Sequence, residues 1–287
     1  MIIDGKKIAE EIKEELKEQI AASPPAGGLK LAIVQVGDDL VSKKFIERKI
    51  KFAEEIGIKT KVYNLPVDIS TNKLRQKMAE ISHIKENNGV ILQLPLPSHI
   101  NTQYVLNGIV PKKDVDVLSS RAFGNFSTNR SKILPPVVGA IKIVLDKAGV
   151  DLKGKYAVVI GRGILVGKPV AVWLISEGAT FSVLNSKTKD ISKFIKDADI
   201  ILTGIGKPHF ITADMVKDGV IIIDAGTSIS SQSSVAGSQT KIVGDVEPAI
   251  AKKASIFTPV PGGIGPITVA MIFKNLLELN KSSRLKQ

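Results

Sequence analysis

The 287-residue chain contains no cysteine, which excludes disulfides, thiolate nucleophiles, iron–sulfur clusters and cysteine-ligated zinc, and fits a reducing compartment. Histidine is almost as scarce. His83, His99 and His209 lie far apart and share no metal-ligand spacing, so neither a metal site nor a histidine-based triad is expected. Only 5% of residues are aromatic, which offers little for stacking nucleic-acid bases. No apolar run approaches the ~18 residues of a membrane-spanning helix, and the first residues carry Asp4 in place of a signal-type apolar stretch. The expectation is a soluble, cytoplasmic protein.

What is present is ordinary globular material. With 44% hydrophobic and 24% charged residues, the chain has enough apolar surface for its own core. Its length is about twice that of an average domain, so two domains or one large α/β unit are expected. Forty basic against 28 acidic residues leave a net charge of +12. That excess points to an anionic partner without choosing among nucleic acid, a membrane surface and a phosphorylated or polycarboxylate small molecule. Ile8, Ile12, Leu16 and Ile20 recur at helical spacing, and the helix stops before Ser23-Pro24-Pro25-Ala26-Gly27-Gly28. Strands and helices then alternate: strand 30–36, helix 41–56, strand 59–65, helix 74–84, strand 89–94. Such alternation implies βαβ units and a mostly parallel sheet. Between Asp114 and Val138 helix periodicity fails, and the segment reads as a crossing between domains. A helix over 139–147 then leads into a second series, with strands 154–160, 180–184, 200–203 and 220–224 and a helix over 169–177. Ser228–Gln239 reads as a mobile loop, and a last helix spans 267–279. The expected organisation is an α/β domain over 1–138, joined by a returning helix over 267–287, and a Rossmann-type domain over 139–266.

Gly161-Arg162-Gly163-Ile164-Leu165-Val166-Gly167 follows a strand, and Pro169 stands where the next helix begins, a place where its missing N–H is harmless. Glycines let the backbone approach a pyrophosphate, and a helix N-terminus presents unpaired N–H groups to it. The spacing is one residue longer than the usual dinucleotide fingerprint, and a tight turn without ligand would use the same glycines. About 24 residues on, the next strand ends in Asn185-Ser186-Lys187, where an NAD site usually carries an acid for the ribose hydroxyl. Arg162, Ser186, Lys187 and Lys189 suit a 2′-phosphate instead, which favours NADP; a solvated basic turn would look alike.

Phe45 and Lys49 stand four apart on one helix face, a pairing that by itself reads as an inward aromatic beside a snorkelling lysine. Gln93 ends a buried strand and is costly to bury without a partner. Lys113-Asp114-Val115-Asp116 sets two carboxylates on a loop that by itself reads as a solvated turn. With Gly244-Asp245-Val246 and Thr258-Pro259-Val260-Pro261-Gly262-Gly263-Ile264-Gly265-Pro266-Ile267-Thr268, these pieces resemble the bifunctional methylenetetrahydrofolate dehydrogenase/cyclohydrolase (FolD) family. They occur in order and at the family's spacings from about Asp4 to Asn275.

The resemblance implies an N-terminal α/β folate-binding catalytic domain, a C-terminal Rossmann-type NADP-binding domain and a cleft between them. It implies two reactions on one folate, in one-carbon metabolism and purine biosynthesis. Hydride passes from methylenetetrahydrofolate to NADP; the methenyl cation is then hydrated and opened to formyltetrahydrofolate. By position, Lys49 matches the catalytic lysine, Gln93 the glutamine that hydrogen-bonds near it, and Asp116 the acid that anchors the pterin. Phe45, where the family typically has tyrosine, and Pro261, Gly262 and Gly263 fall on substrate-binding positions. Gly161, Arg162, Gly163, Val166, Gly167, Ser186 and Thr227 fall on cofactor-binding positions, with Arg162 and Ser186 against the 2′-phosphate. A homodimer acting on polyglutamylated folates is also implied, and no metal. The chain departs from the pattern at Gly163 in place of serine, Val117 in place of glycine, Asn185 in place of histidine, and Leu134–Gly139 in place of PCTPxG. A different Rossmann dehydrogenase without the hydrolase activity would leave Thr258–Thr268 and the set Lys49, Gln93 and Asp116 unexplained. A nucleic-acid-binding protein would use the basic charge, but the basic residues are spread along the chain and form no recognised motif.

Overall fold

The computed structural model describes residues 1–22, 27–230 and 241–281. The chain forms two compact units, one of Ala9–Pro136 with Val269–Gln287 and one of Met1–Ile8 with Val137–Thr268.

The first unit is built on a three-stranded sheet. In chain order it contains α1 (Gly5–Ala22, its first residues counted with the other unit), β1 (Lys30–Val36), α2 (Leu40–Glu55), β2 (Lys59–Leu65), α3 (Thr71–His83), β3 (Gly89–Leu92), α4 (Thr102–Leu106) and α5 (Ser120–Ser127). The strands are parallel, in the order β2-β1-β3. Covered on both faces, β3 reads as a continuous apolar run and β1 as one broken by Gln35, whereas the edge strand β2 stays partly exposed. Asp39 caps α2 by accepting the Ser42 N–H at 2.8 Å, which satisfies one of the free donors at the helix start. The buried stripe of α2 is Ser42, Ile46, Lys49 and Ala53, so a lysine occupies an inward position. The segment expected to lack helix between Asp114 and Val138 contains α5. Ser119 caps it by accepting the Ala122 N–H, and only Ala122 and Phe126 are buried, too few positions to show a period.

The second unit continues with α6 (Pro136–Lys147), β4 (Tyr156–Ile160), α7 (Gly167–Ser176), β5 (Thr180–Leu184), α8 (Ser192–Ile195), β6 (Ile200–Thr203), β7 (Ile221–Asp224), β8 (Ser228–Ser230), β9 (Lys241–Val243) and β10 (Ile256–Thr258). α9 (Ile264–Lys281) starts here and runs on as a helix of the first unit. The five-stranded parallel sheet has the order β10-β7-β6-β4-β5. Chain direction across the sheet reverses at β4, the switch point where α/β sheets place their ligands. Val158, Ile160, Ile201, Ile222 and Phe257 belong to its core. The first eight residues, expected with the N-terminal domain, group here because Ile3 N–H donates to Phe257 O and Phe257 N–H donates to Met1 O, both at 2.9 Å. Of the expected mobile loop, Ser228–Ser230 instead pair as β8 with β9, and 231–239 lie outside the described residues. Among the described residues no helix is long and apolar enough to cross a membrane.

Candidate active site

In the three-stranded unit, Gln93 leaves the end of β3 with its N–H still donating to Val34 O at 2.8 Å. Its Nε2 donates to Leu94 O at 2.7 Å. That bond sets the amide so that Oε1 accepts from Lys49 Nζ at 2.8 Å. Lys49 and Gln93 are each only 9% exposed. Burial pushes the Lys49 ammonium below its ordinary range, against the negative charge of Asp116. Asp116 retains some contact with water, yet burial raises its carboxyl to about 6; Lys49 opposes this rise and Asp114 adds to it. The sequence thus brings Lys49, Gln93 and Asp116 into one electrostatic group, a lysine poised to lose a proton beside an acid poised to hold one.

Asp114, which alone read as part of a solvated turn, is fully buried. It sits beside Val90 of β3 in a parallel bridge. Its two carboxyl oxygens accept the N–H groups of Leu118 at 3.2 Å and Ser119 at 2.7 Å, so it staples the turn that carries Asp116. Within that turn Val117 has φ of +59° and is 1% exposed. A β-branched residue in the left-handed region stores about 1–2 kcal/mol of strain, which explains why glycine suits the position. From α9, Asn275 Nδ2 donates to Val115 O at 2.9 Å and Leu134 O at 2.8 Å, tying the same loop to the segment that departs from PCTPxG. Phe45 is half-buried one helical turn before Lys49, with the Arg48 guanidinium 5.7 Å from its ring centre.

In the five-stranded unit, the loop after β4 is bound by its glycines. Gly161 has φ of +105° and its N–H donates to Leu184 O at 2.8 Å. A Cβ on Gly167 would lie 2.0 Å from Gly161 O, so only glycine lets α7 start that close to the strand. A Cβ on Gly163 would meet no atom within 4 Å, leaving open space over the backbone. Val166 occupies the cap position of α7 without a side-chain hydrogen bond; the Lys168 N–H donates to Gly163 O at 3.0 Å and Pro169 has none, which leaves the Gly167 N–H at the helix start for a ligand. Arg162 and Ser186 are exposed. Asn185 Oδ1 accepts from Lys187 N–H at 2.9 Å, closing a turn that has no acid at the ribose position. An NADP-type phosphate group fits this donor set.

Thr227 is exposed just after β7. Two carboxylates that sequence reasoning gave no role hold this edge. Asp245 accepts from Thr203 Oγ1 at 2.9 Å, Ile205 N–H at 2.7 Å and Lys207 N–H at 2.8 Å. Asp224 accepts from Gly226 N–H at 2.8 Å and Val246 N–H at 3.0 Å. A Cβ on Gly226 would lie 2.2 Å from the Asp245 carboxyl carbon, and one on Gly244 would lie 2.1 Å from Asp224 Oδ2. The pair therefore requires glycine at both places. Burial raises the Asp224 carboxyl to about 7. An acid ending an otherwise apolar run, Ile221–Asp224, is the signal that could have found it. Pro261, Gly262 and Gly263 form the turn before α9, where Gly262 O accepts the Gly5 N–H at 2.8 Å and Gly263 N–H donates to Pro259 O at 2.7 Å.

Comparison with known proteins gives matches over nearly the whole chain. The family model described as tetrahydrofolate dehydrogenase/cyclohydrolase, catalytic domain, matches residues 3–116, and its NAD(P)-binding domain matches residues 135–284. The bifunctional protein FolD of Moorella thermoacetica is 39% identical over 96% of this chain and 97% of its own. That of Caldanaerobacter subterraneus is 40% identical over 98% and 97%. Among solved structures, the bifunctional enzyme FolD of Campylobacter jejuni matches with a TM-score of 0.91 at 37% identity, covering 99% of both chains. The Trypanosoma brucei methylenetetrahydrofolate dehydrogenase-cyclohydrolase, solved with NADP cofactor and an inhibitor, matches with a TM-score of 0.92 at 32% identity, covering 99% and 98%. With the buried lysine–glutamine pair on one unit and the glycine loop on the other, the chain belongs to the tetrahydrofolate dehydrogenase/cyclohydrolase family.

Proposed function

We propose that this protein oxidises methylenetetrahydrofolate to the methenyl form with NADP and hydrolyses the product to formyltetrahydrofolate. The observation that carries this reading is the buried Lys49–Gln93 hydrogen bond of 2.8 Å beside Asp116. NADP, when bound, accepts the hydride. Gly161, Gly163, Val166 and Gly167 offer it close backbone approach, with the Gly167 N–H at the helix start, Arg162 and Ser186 meet its 2′-phosphate, and Thr227 contacts it at the sheet edge. Hydride transfer then requires of the protein mainly position, which Asp116 supplies by holding the pterin, with Phe45 stacking on the folate and Pro261–Gly263 lining it.

Hydrolysis needs proton movement. Water adds to the methenyl carbon and loses a proton; the C–N bond to one ring nitrogen then breaks, and that nitrogen takes a proton. A lysine whose pKa is lowered by burial can take the first and return the second. Gln93 aims Lys49 for this through Oε1. Phe45 brings no hydroxyl to the site, so orientation of Lys49 rests more heavily on Gln93.

The same reading takes the net charge of +12 as suited to a polyglutamate tail and to the NADP phosphate. It takes the working form as a cytoplasmic homodimer that feeds formyl groups to purine biosynthesis, with no nucleic-acid partner. The domains are assigned as a catalytic domain and an NADP domain on the two units described. One mixture tests the function: purified protein with methylenetetrahydrofolate and either NADP or NAD, following reduced nicotinamide and methenyl absorbance together. Both signals should rise with NADP, and the methenyl signal should then decay faster than its spontaneous rate. Absence of any reduced nicotinamide overturns the reading.

A further inference from the structure

Gln35 takes no part in the chemistry above, and its setting is unusual. It lies on the central strand β1, one residue past Val34. Because Gln93 N–H donates to Val34 O, the β1–β3 ladder extends past Leu92 and places Gln35 beside Gln93. Neighbouring residues in a sheet direct their side chains to the same face.

That face can be identified from two residues at even spacing behind Gln35. Leu31 pairs with Gly89 and Ile33 with Ile91, and positions 31, 33 and 35 share a face by the strand's period of two. A Cβ on Gly89 would lie 2.6 Å from Leu276 Cδ1 and 2.8 Å from Val115 Cγ1. The face therefore looks toward the segment that leads into Asp116, and Gln93, next to Gln35, meets Lys49. Gln35 is 5% exposed. Its Nε2 is shut off from solvent and has no hydrogen-bond partner among the described residues. A buried amide donor without an acceptor leaves its desolvation cost unrecovered, so the position calls for an acceptor that arrives with a ligand.

We propose that Gln35 is a substrate-binding residue whose carboxamide N–H donates to the carbonyl oxygen of the pterin. This rests on the folate reading above. The chemistry is complementary: a pterin edge carries amino and ring N–H donors next to a carbonyl acceptor. Asp116 supplies an acceptor for the first and Gln35 a donor for the second, and both lie in the unit that carries Lys49. Two buried groups of opposite hydrogen-bonding character thereby fix which edge of the ring enters.

The test uses Gln35→Met and Gln35→Leu in the full-length protein, each of similar volume and without the donor. Initial rates with varied methylenetetrahydrofolate and varied NADP are combined with calorimetric binding of 5-formyltetrahydrofolate as an unreactive probe and with thermal melting. The folate KM and the probe Kd should rise ~5-fold, the loss typical of one neutral hydrogen bond. The NADP KM should stay within 2-fold, and the melting temperature should hold or rise, since an unmet donor has been removed. Unchanged folate KM and Kd in a folded variant overturn the proposal. A fall in melting temperature or failure to fold in both variants makes Gln35 a structural residue and overturns it equally. A wild-type protein that neither reduces NADP nor binds the probe overturns the folate reading itself, a result separable from either of these.

Discussion

Replacing Asp116 with asparagine separates stability from function at one atom. In the folded protein burial raises the Asp116 carboxyl from 3.8 to about 6. In the unfolded chain it titrates near the ordinary value. Between those two pH values the unfolded chain has released a proton that the folded protein still holds. Wild-type stability therefore falls as pH rises through the window and is level above it. At 1.36 kcal/mol per pH unit the full effect is about 3 kcal/mol. Residual contact with water screens part of it, and losing the counter-charge beside Lys49 offsets more, so the expected gain for Asp116→Asn is about 1–2 kcal/mol. The gain should be absent at pH 3.5, grow between about 4 and 6, and hold at pH 8. At pH 8, where the wild-type carboxyl is ionised, the variant should lose folate affinity and both activities by ~10-fold or more, because an amide lacks the anion that anchors the pterin. Urea unfolding at pH 3.5 and pH 8 checks the first expectation, and steady-state rates at pH 8 check the second. A variant no more stable than wild type at pH 8, or one equally stabilised at both pH values, would refute the assignment of a buried, proton-holding carboxyl.

Lys49→Met should slow methenyl hydrolysis ~100-fold, the usual loss when a general acid–base group is removed, while hydride transfer survives in part. Stopped-flow decay of the methenyl signal, corrected for its spontaneous rate, reads this out, and unchanged decay removes Lys49 from the mechanism. Arg162→Ala should weaken NADP binding ~10-fold or more and leave NAD nearly unaffected, since only NADP carries the 2′-phosphate; equal losses contradict the NADP assignment. Val117→Gly deletes a buried side chain, which at an ordinary backbone costs about 3 kcal/mol. Release of the left-handed strain returns about 1–2 kcal/mol, so denaturant unfolding should show a net loss near 1–2 kcal/mol. A loss of the full 3 kcal/mol or more means that Val117 carries no strain.

The sequence by itself determined those features whose cause lies within a few residues. Apolar runs marked β1, β4 and β6; the stripe of Ile8, Ile12 and Leu16 marked α1; and the glycines of 161–167 between strand and helix marked the phosphate loop. Each reflects local periodicity or a local backbone demand. Family resemblance added Lys49, Gln93 and Asp116 as a set, though nothing in their spacing brings them together. Tertiary structure alone decided what depends on distant neighbours. Asp114 reads as a loop acid until β3 buries it and the N–H groups of Leu118 and Ser119 satisfy it. Met1–Ile8 group with the second unit because Phe257 offers them a strand edge. The pairing of Asp224 and Asp245 with the loops around Gly226 and Gly244, and the unmet donor of Gln35, likewise exist only once segments far apart in sequence meet. Burial and partner identity set the pKa of Lys49 and of Asp116, and neither quantity is a property of the residue or its chain neighbours.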